Sequence, residues 1–171
     1  MLEIERRRFA LMGKSPGEVN DRMKGAAALY HEWLIKGRPV DDILTEQPQL
    51  ADLWPEGKDH THLYGRPLAF YQQLQKLNLG VAWSRVKVPT YALRGAFDWI
   101  MSRDDHEIIV NLVNTNQLGA ARLVDLPSTG HTFQHYLSMA DAFQGKEAPF
   151  DQAVTRVLTD WFKQVREGAS S

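Results

Sequence analysis

The chain has 171 residues, a length that suits one domain. Apolar residues make up 43% and charged residues 24%, and 20 Lys+Arg against 21 Asp+Glu leave a net charge of −1. That balance gives no reason to expect nucleic acid or an anionic membrane as a partner. Cysteine is absent, which excludes disulfides, Cys-ligated zinc, iron–sulfur clusters and a thiol nucleophile. No apolar run reaches the roughly 18 residues of a membrane span. The opening MLEIERRRF lacks the apolar centre of a signal peptide. A cytoplasmic protein is expected. No GxGxxG or P-loop string occurs, so no nucleotide or other cofactor is assigned.

In chain order, Met1 to Met12 reads as a short helix ended by Gly13. Ser15-Pro16-Gly17-Glu18 follows as a helix start: Ser caps, Pro suits the first helical position, and Glu closes a capping box. The helix it opens runs to about Lys36, with Val19, Met23, Ala26, Ala27, Tyr30, Trp33 and Leu34 at helical spacing. Short helices are predicted over Val40–Glu46 and Pro48–Leu53, then an irregular loop over Trp54–His60. Pro67–Leu77 reads as another helix, with Leu68, Tyr71, Leu74 and Leu77 on one face. No strand pattern shows in this first half.

From Val86 the texture changes. Val86–Gly95 is β-branched and aromatic, with Pro near its start and Gly at its end, and predicts a strand. Asp104 to about Thr115 predicts a helix with Ile108, Ile109, Leu112 and Val113 inward, and Ala121–Leu126 a second strand. Phe150–Val165 predicts a closing helix burying Val154, Val157, Leu158, Trp161 and Phe162. Strand, helix, strand, helix is a βαβ unit with parallel pairing, so the fold class is α/β. Two parallel strands make a poor sheet, because such sheets are normally covered on both faces and extended by further strands. Self-association through the exposed sheet edge is therefore expected.

Functional groups of open α/β sheets gather at the carboxyl ends of the strands. Asp98 follows the first strand and His131 the second. Parallel pairing would set carboxylate and imidazole side by side, the acid orienting a general base. Trp99, Phe97 and Phe133 beside them are candidates to line a substrate cleft. His135 is a rival base, and His106, next to Asp104 and Asp105, reads as a solvated residue of a first helical turn. Asp59-His60-Thr61-His62 has no further ligand cluster behind it and reads as a polar loop, so no metal is assigned. Arg6-Arg7-Arg8 reads as a solvated helix face, and the remaining tryptophans as packing residues.

The stretch Val88-Pro89-Thr90-Tyr91-Ala92-Leu93-Arg94-Gly95-Ala96-Phe97-Asp98, followed by a helix, a strand, Gly130-His131 and a closing helix, resembles the C-terminal portion of the α/β-hydrolase fold. The resemblance covers Val86 to Val165, about half the chain. It implies a triad acid at Asp98 and a triad base at His131. It also implies that residues 1–85 form a helical lid and 86–167 a core portion; the small and polar 168–171 read separately as a frayed tail. Gly13-Lys14-Ser15-Pro16 and Tyr64-Gly65-Arg66-Pro67-Leu68 look like stretches of lid-bearing hydrolases. The family needs a nucleophile on a strand-to-helix elbow. Gly13-Lys14-Ser15-Pro16-Gly17 has the G-x-S-x-G spelling, but no buried strand precedes it. Pro16 also lacks the backbone N–H that would serve an oxyanion hole. The expectation is a hydrolase for an ester-like small molecule, represented by lid and C-terminal region and inactive alone for want of a nucleophile. Serine there would imply ester, thioester or amide cleavage, and aspartate haloalkane or epoxide chemistry. The alternative is a non-catalytic binding domain on the same scaffold.

Overall fold

Helix α1 (Leu2–Leu11) opens the chain, and α2 (Pro16–Tyr30) follows it. The computed structural model describes residues 1–55, 59–115 and 117–168. Ser15 accepts the Glu18 N–H while the Glu18 carboxylate accepts the Ser15 N–H at 2.9 Å, the reciprocal cap expected from the sequence. The predicted continuous helix to Lys36 instead widens to a π-turn over His31–Ile35, with Lys36 N–H donating to the His31 carbonyl five residues back. The widened turn carries Trp33 into the core beside Tyr30. Gly37, at φ +72°, ends it in a conformation that suits glycine.

Next come α3 (Val40–Glu46) and a 3₁₀ turn (Pro48–Leu53), both at the predicted positions. The expected loop over Trp54–His60 lies partly outside the described residues. A hairpin of β1 (His62–Leu63) and β2 (Arg66–Pro67) then corrects the all-helical reading of this half. Two-residue strands are too short to show alternation. The turn between them places both Tyr64 and Gly65 at positive φ, the geometry of a tight hairpin. Helix α4 (Leu68–Leu74) is shorter than predicted and leaves Leu77 exposed.

These elements enclose an apolar core of Phe9, Leu29, Trp33, Ile43, Leu53, Trp54, Leu63 and their neighbours. Trp33 meets Trp54 edge to face at 5.3 Å. Arg8 is not solvated as the sequence reading supposed: its Nε donates to buried Glu5 at 2.8 Å, and the Tyr30 hydroxyl donates to the same carboxylate at 3.0 Å. Burial, and then the Glu5 charge, push the Tyr30 phenol far above its ordinary range.

The chain divides into two compact units, Met1–Asn78 and Leu79–Ser171, rather than one domain. In the second, α5 (Leu79–Trp83) packs on α6 (Arg103–Asn114). A five-residue helix carries no readable periodicity, so α5 escaped prediction. Strands β3 (Thr90–Gly95) and β4 (Ala121–Leu126) pair in parallel, Thr90 opposite Ala121 through Gly95 opposite Leu126. Helix α6 lies on both strands, and Asn114 closes the return to β4 by bonding both the N–H and the carbonyl of Ala121. Short α7 (Met139–Phe143) and long α8 (Gln152–Gly168) complete the unit. Gly168 thus belongs to α8 and not to a frayed tail, and residues 169–171 lie outside the described ones.

Mixed helix and parallel sheet agree with α/β at that level. The unit buries little: Ala92, Val113, Ala121, Leu126 and Val154 are its buried apolar residues among those described, and of these Val113 alone is fully enclosed. Ile108 and Phe162, expected inward, are 55% and 64% exposed. Both sit on the apolar stripes of their helices, and no described element covers them. No described helix is long and apolar enough to cross a membrane.

Candidate functional site

In-phase pairing ends β3 and β4 at one level, so the loops that follow them leave the sheet together. They are then tied to each other. Ala96 N–H donates to the Leu126 carbonyl at 2.8 Å and Phe97 N–H to the Thr129 carbonyl at 2.9 Å. Close approach here requires glycine: a Cβ on Gly95 would stand 2.1 Å from the Thr129 carbonyl oxygen. Gly130 is also confined, though by a side chain: its Cβ would meet the Tyr136 ring at 2.6 Å.

Asp98 and His131, 33 positions apart in the chain, meet in this junction: Nδ1 of His131 lies 3.0 Å from Oδ2 of Asp98. The other carboxylate oxygen, Oδ1, accepts the N–H groups of Ile100 and Met101, each at 2.9 Å. The acid is therefore held on both oxygens and is 6% exposed. Burial acts to raise its pKa. The hydrogen bond from His131, the Met101 and Ile100 amides and the His131 charge outweigh it and hold the carboxyl below its ordinary value. His131 moves the opposite way, raised first by its hydrogen bond to Asp98 against the opposing effect of burial. A carboxylate facing Nδ1 fixes the proton there in the neutral ring and leaves the Nε2 lone pair as the basic one. The imidazole side chain is 42% exposed, so a proton donor can reach it.

Three other histidines stand near carboxylates, and geometry separates them from this pair. His60 Nδ1 lies 2.5 Å from Asp41, but that carboxylate is 75% exposed. His62 Nδ1 lies 3.5 Å from Oδ2 of the half-exposed Asp59, whose other oxygen, Oδ1, accepts the Thr61 N–H and hydroxyl. His135, the rival base, stands 3.6 Å from Asp151, beyond hydrogen-bond length. His106 is half-buried and donates from Nδ1 to the Ser102 carbonyl at 2.7 Å, a local helix contact rather than a solvated side chain.

The aromatic candidates divide. Phe97 contributes its amide to the junction, and Phe133, at φ +64°, contributes its carbonyl to the Asp151 N–H at 2.7 Å. The Trp99 ring packs edge to face on Phe143 at 5.1 Å. Two concavities of this unit, about 420 and 410 Å³, are lined by Tyr91, Arg122 and Trp161 and by His135, Tyr136 and Lys146, and neither is lined by Asp98 or His131. Ser15 is spent on its helix: its hydroxyl donates to Glu18 at 2.8 Å, which supports the cap over the elbow. Thr129 and Asp151, fully buried and nearly so, were not singled out from the sequence. A helix-capping preference at Asp151 is the one signal that could have found them.

The paired shifts give a pH signature. His131, raised in the folded protein, adds stability that is complete below its ordinary 6.5 and vanishes as pH climbs through the raised value. Asp98, lowered, adds stability that is complete above 3.8 and vanishes as pH falls through the lowered value. Asp98→Asn keeps the two turn hydrogen bonds and removes the charge. Its loss in denaturant unfolding should be larger at about pH 5 than at about pH 9, and an equal loss at both would refute the pairing.

Comparison with family models, with curated proteins and with solved structures finds no match to this chain.

Proposed function

We propose that the second unit carries the acid and base of an α/β-hydrolase-type site, Asp98 orienting His131, for hydrolysis of an apolar ester or related small molecule. The observation supporting this most is a buried carboxylate, bonded on both oxygens, 3.0 Å from the Nδ1 of a part-exposed imidazole at the aligned ends of two parallel strands. In this reading His131 Nε2 takes a proton from a nucleophile and returns it to the leaving group, while Asp98 stabilises the imidazolium. All three functions belong to side chains, so no cofactor is needed. The first unit, Met1–Asn78, takes the part of the lid, and the setting is cytoplasmic.

No nucleophile is assigned among the described residues, so the chain alone is inactive and needs a strand-rich segment bearing a nucleophile elbow. Supplying such a segment in trans tests the reading. Activated-ester hydrolysis should appear only in the mixture. It should fall by roughly 10⁴-fold in Asp98→Asn or His131→Ala. Activity in the mixture that survives both substitutions refutes the roles assigned here.

A second reading, a non-catalytic binding domain, draws on the exposed Val88, Ile108, Leu137 and Phe162 of the same unit. Tight association with the added segment, without hydrolysis, favours it.

A further inference from the structure

The loop that carries His131 is also held by contacts that do not involve Asp98. Asp151 is nearly buried and caps α8 by accepting the Ala153 N–H on Oδ1 at 2.8 Å. Its Oδ2 accepts the Thr129 hydroxyl at 2.5 Å, and its own N–H donates to the Phe133 carbonyl at 2.7 Å. The half-exposed His135 ring stands on the same oxygen's side at 3.6 Å. Thr129 is fully buried, and its carbonyl receives the Phe97 N–H one residue from Asp98. Thr129 therefore links the two carboxylates: its hydroxyl leads to Asp151 and its carbonyl to the acid loop. At the two ends of this held stretch Ser128 and Phe133 both adopt left-handed backbone, at φ +61° and +64°. Such a conformation is costly for residues with side chains and persists where surrounding contacts over-determine it.

We infer that Asp151 is a positioning residue for His131, holding the 129–135 loop through the Thr129 hydroxyl so that the imidazole stays in register with Asp98. This rests on the reading of Asp98 and His131 as a working pair, but it concerns geometry that can be read without turnover. The carboxylate of Asp151 is held below its ordinary range, first by the Thr129 hydroxyl and then by the Ala153 amide, as a fixed acceptor would be. A role confined to capping α8 would leave His131 indifferent to Thr129.

The test is proton NMR of the His131 ring, following its titration and its Nδ1 proton, on the full chain with amide dispersion as a check on folding. Parent protein should titrate above 6.5 and show a protected Nδ1 proton. Thr129→Val removes the hydroxyl and leaves the helix cap. It should lower the titration toward 6.5 and lose the Nδ1 signal. Asp151→Ala should do the same, and Asp151→Asn, which can cap α8 and donate to Thr129 Oγ1, should restore both. Parent-like behaviour in Thr129→Val overturns the inference, even if Asp151→Ala fails to fold. Failure of the underlying pair reads differently: Asp98→Asn would then leave His131 unchanged.

Discussion

Gly95→Ala should unfold or open the second unit while Gly17→Ala, the same chemical change, does not. At Gly95 the new methyl would lie 2.1 Å from the Thr129 oxygen, 2.6 Å from its carbonyl carbon and 2.8 Å from the Gly130 oxygen. All three are backbone atoms, so no rotamer change can make room. The strand end and the 129–130 backbone must separate, breaking the Phe97-to-Thr129 hydrogen bond and drawing His131 off Asp98. Overpacking of this kind costs roughly 3 kcal/mol. A unit with so few fully buried apolar residues has little to set against it. At Gly17, in the first turn of α2, a Cβ meets nothing within 4 Å, and alanine there is neutral or slightly stabilising. Denaturant unfolding of the two variants decides the matter. A Gly95→Ala midpoint equal to that of the parent would mean the two loops are not held as described.

The chain should also self-associate. Thr90 and Ala96 direct their N–H groups across to the β4 side, and the two-residue period of a strand turns those of Tyr91 and Leu93 to the other edge. The second unit supplies no strand there among the described residues. A parallel pair is ordinarily buried on both faces, yet Ile108 and Phe162 on the helices and Val88 before β3 are largely exposed. An unpaired edge beside exposed apolar side chains is a template for another strand. Light scattering should give an apparent mass that rises with concentration to at least about twice that of one chain. Phe162→Lys combined with Ile108→Lys should lower it by placing charge on the apolar faces. A single 19.5 kDa species at every concentration would show the edge to be harmless.

Local chemistry made much of this legible in advance. The Ser15 cap, α3 at Val40–Glu46 and β4 at Ala121–Leu126 lie where their own residues put them, because caps, prolines and β-branched runs act within a few positions. Asp98 and His131 could be nominated from strand ends and the family resemblance, since parallel pairing leaves those ends at one edge. Elements without a periodic signal were missed: the π-turn at Trp33, the two-residue hairpin strands, α5 and α7. Helical spacing also placed Ile108 and Phe162 inward, because periodicity identifies an apolar stripe but not whether anything packs on it.

The sequence by itself determined the α/β alternation of the second half, the capped helices and the two loops able to bear an acid and a base, all consequences of short-range propensity and pattern. Only the tertiary structure decided that Asp98 is buried with its Oδ2 facing a histidine, that His131 rather than His135 meets its carboxylate at hydrogen-bond distance, and that Thr129 and Asp151 hold the histidine loop. The Thr129–Asp151 and His131–Asp98 contacts join residues 22 and 33 positions apart. Their formation depends on the register of one strand against another, which no local stretch of sequence encodes.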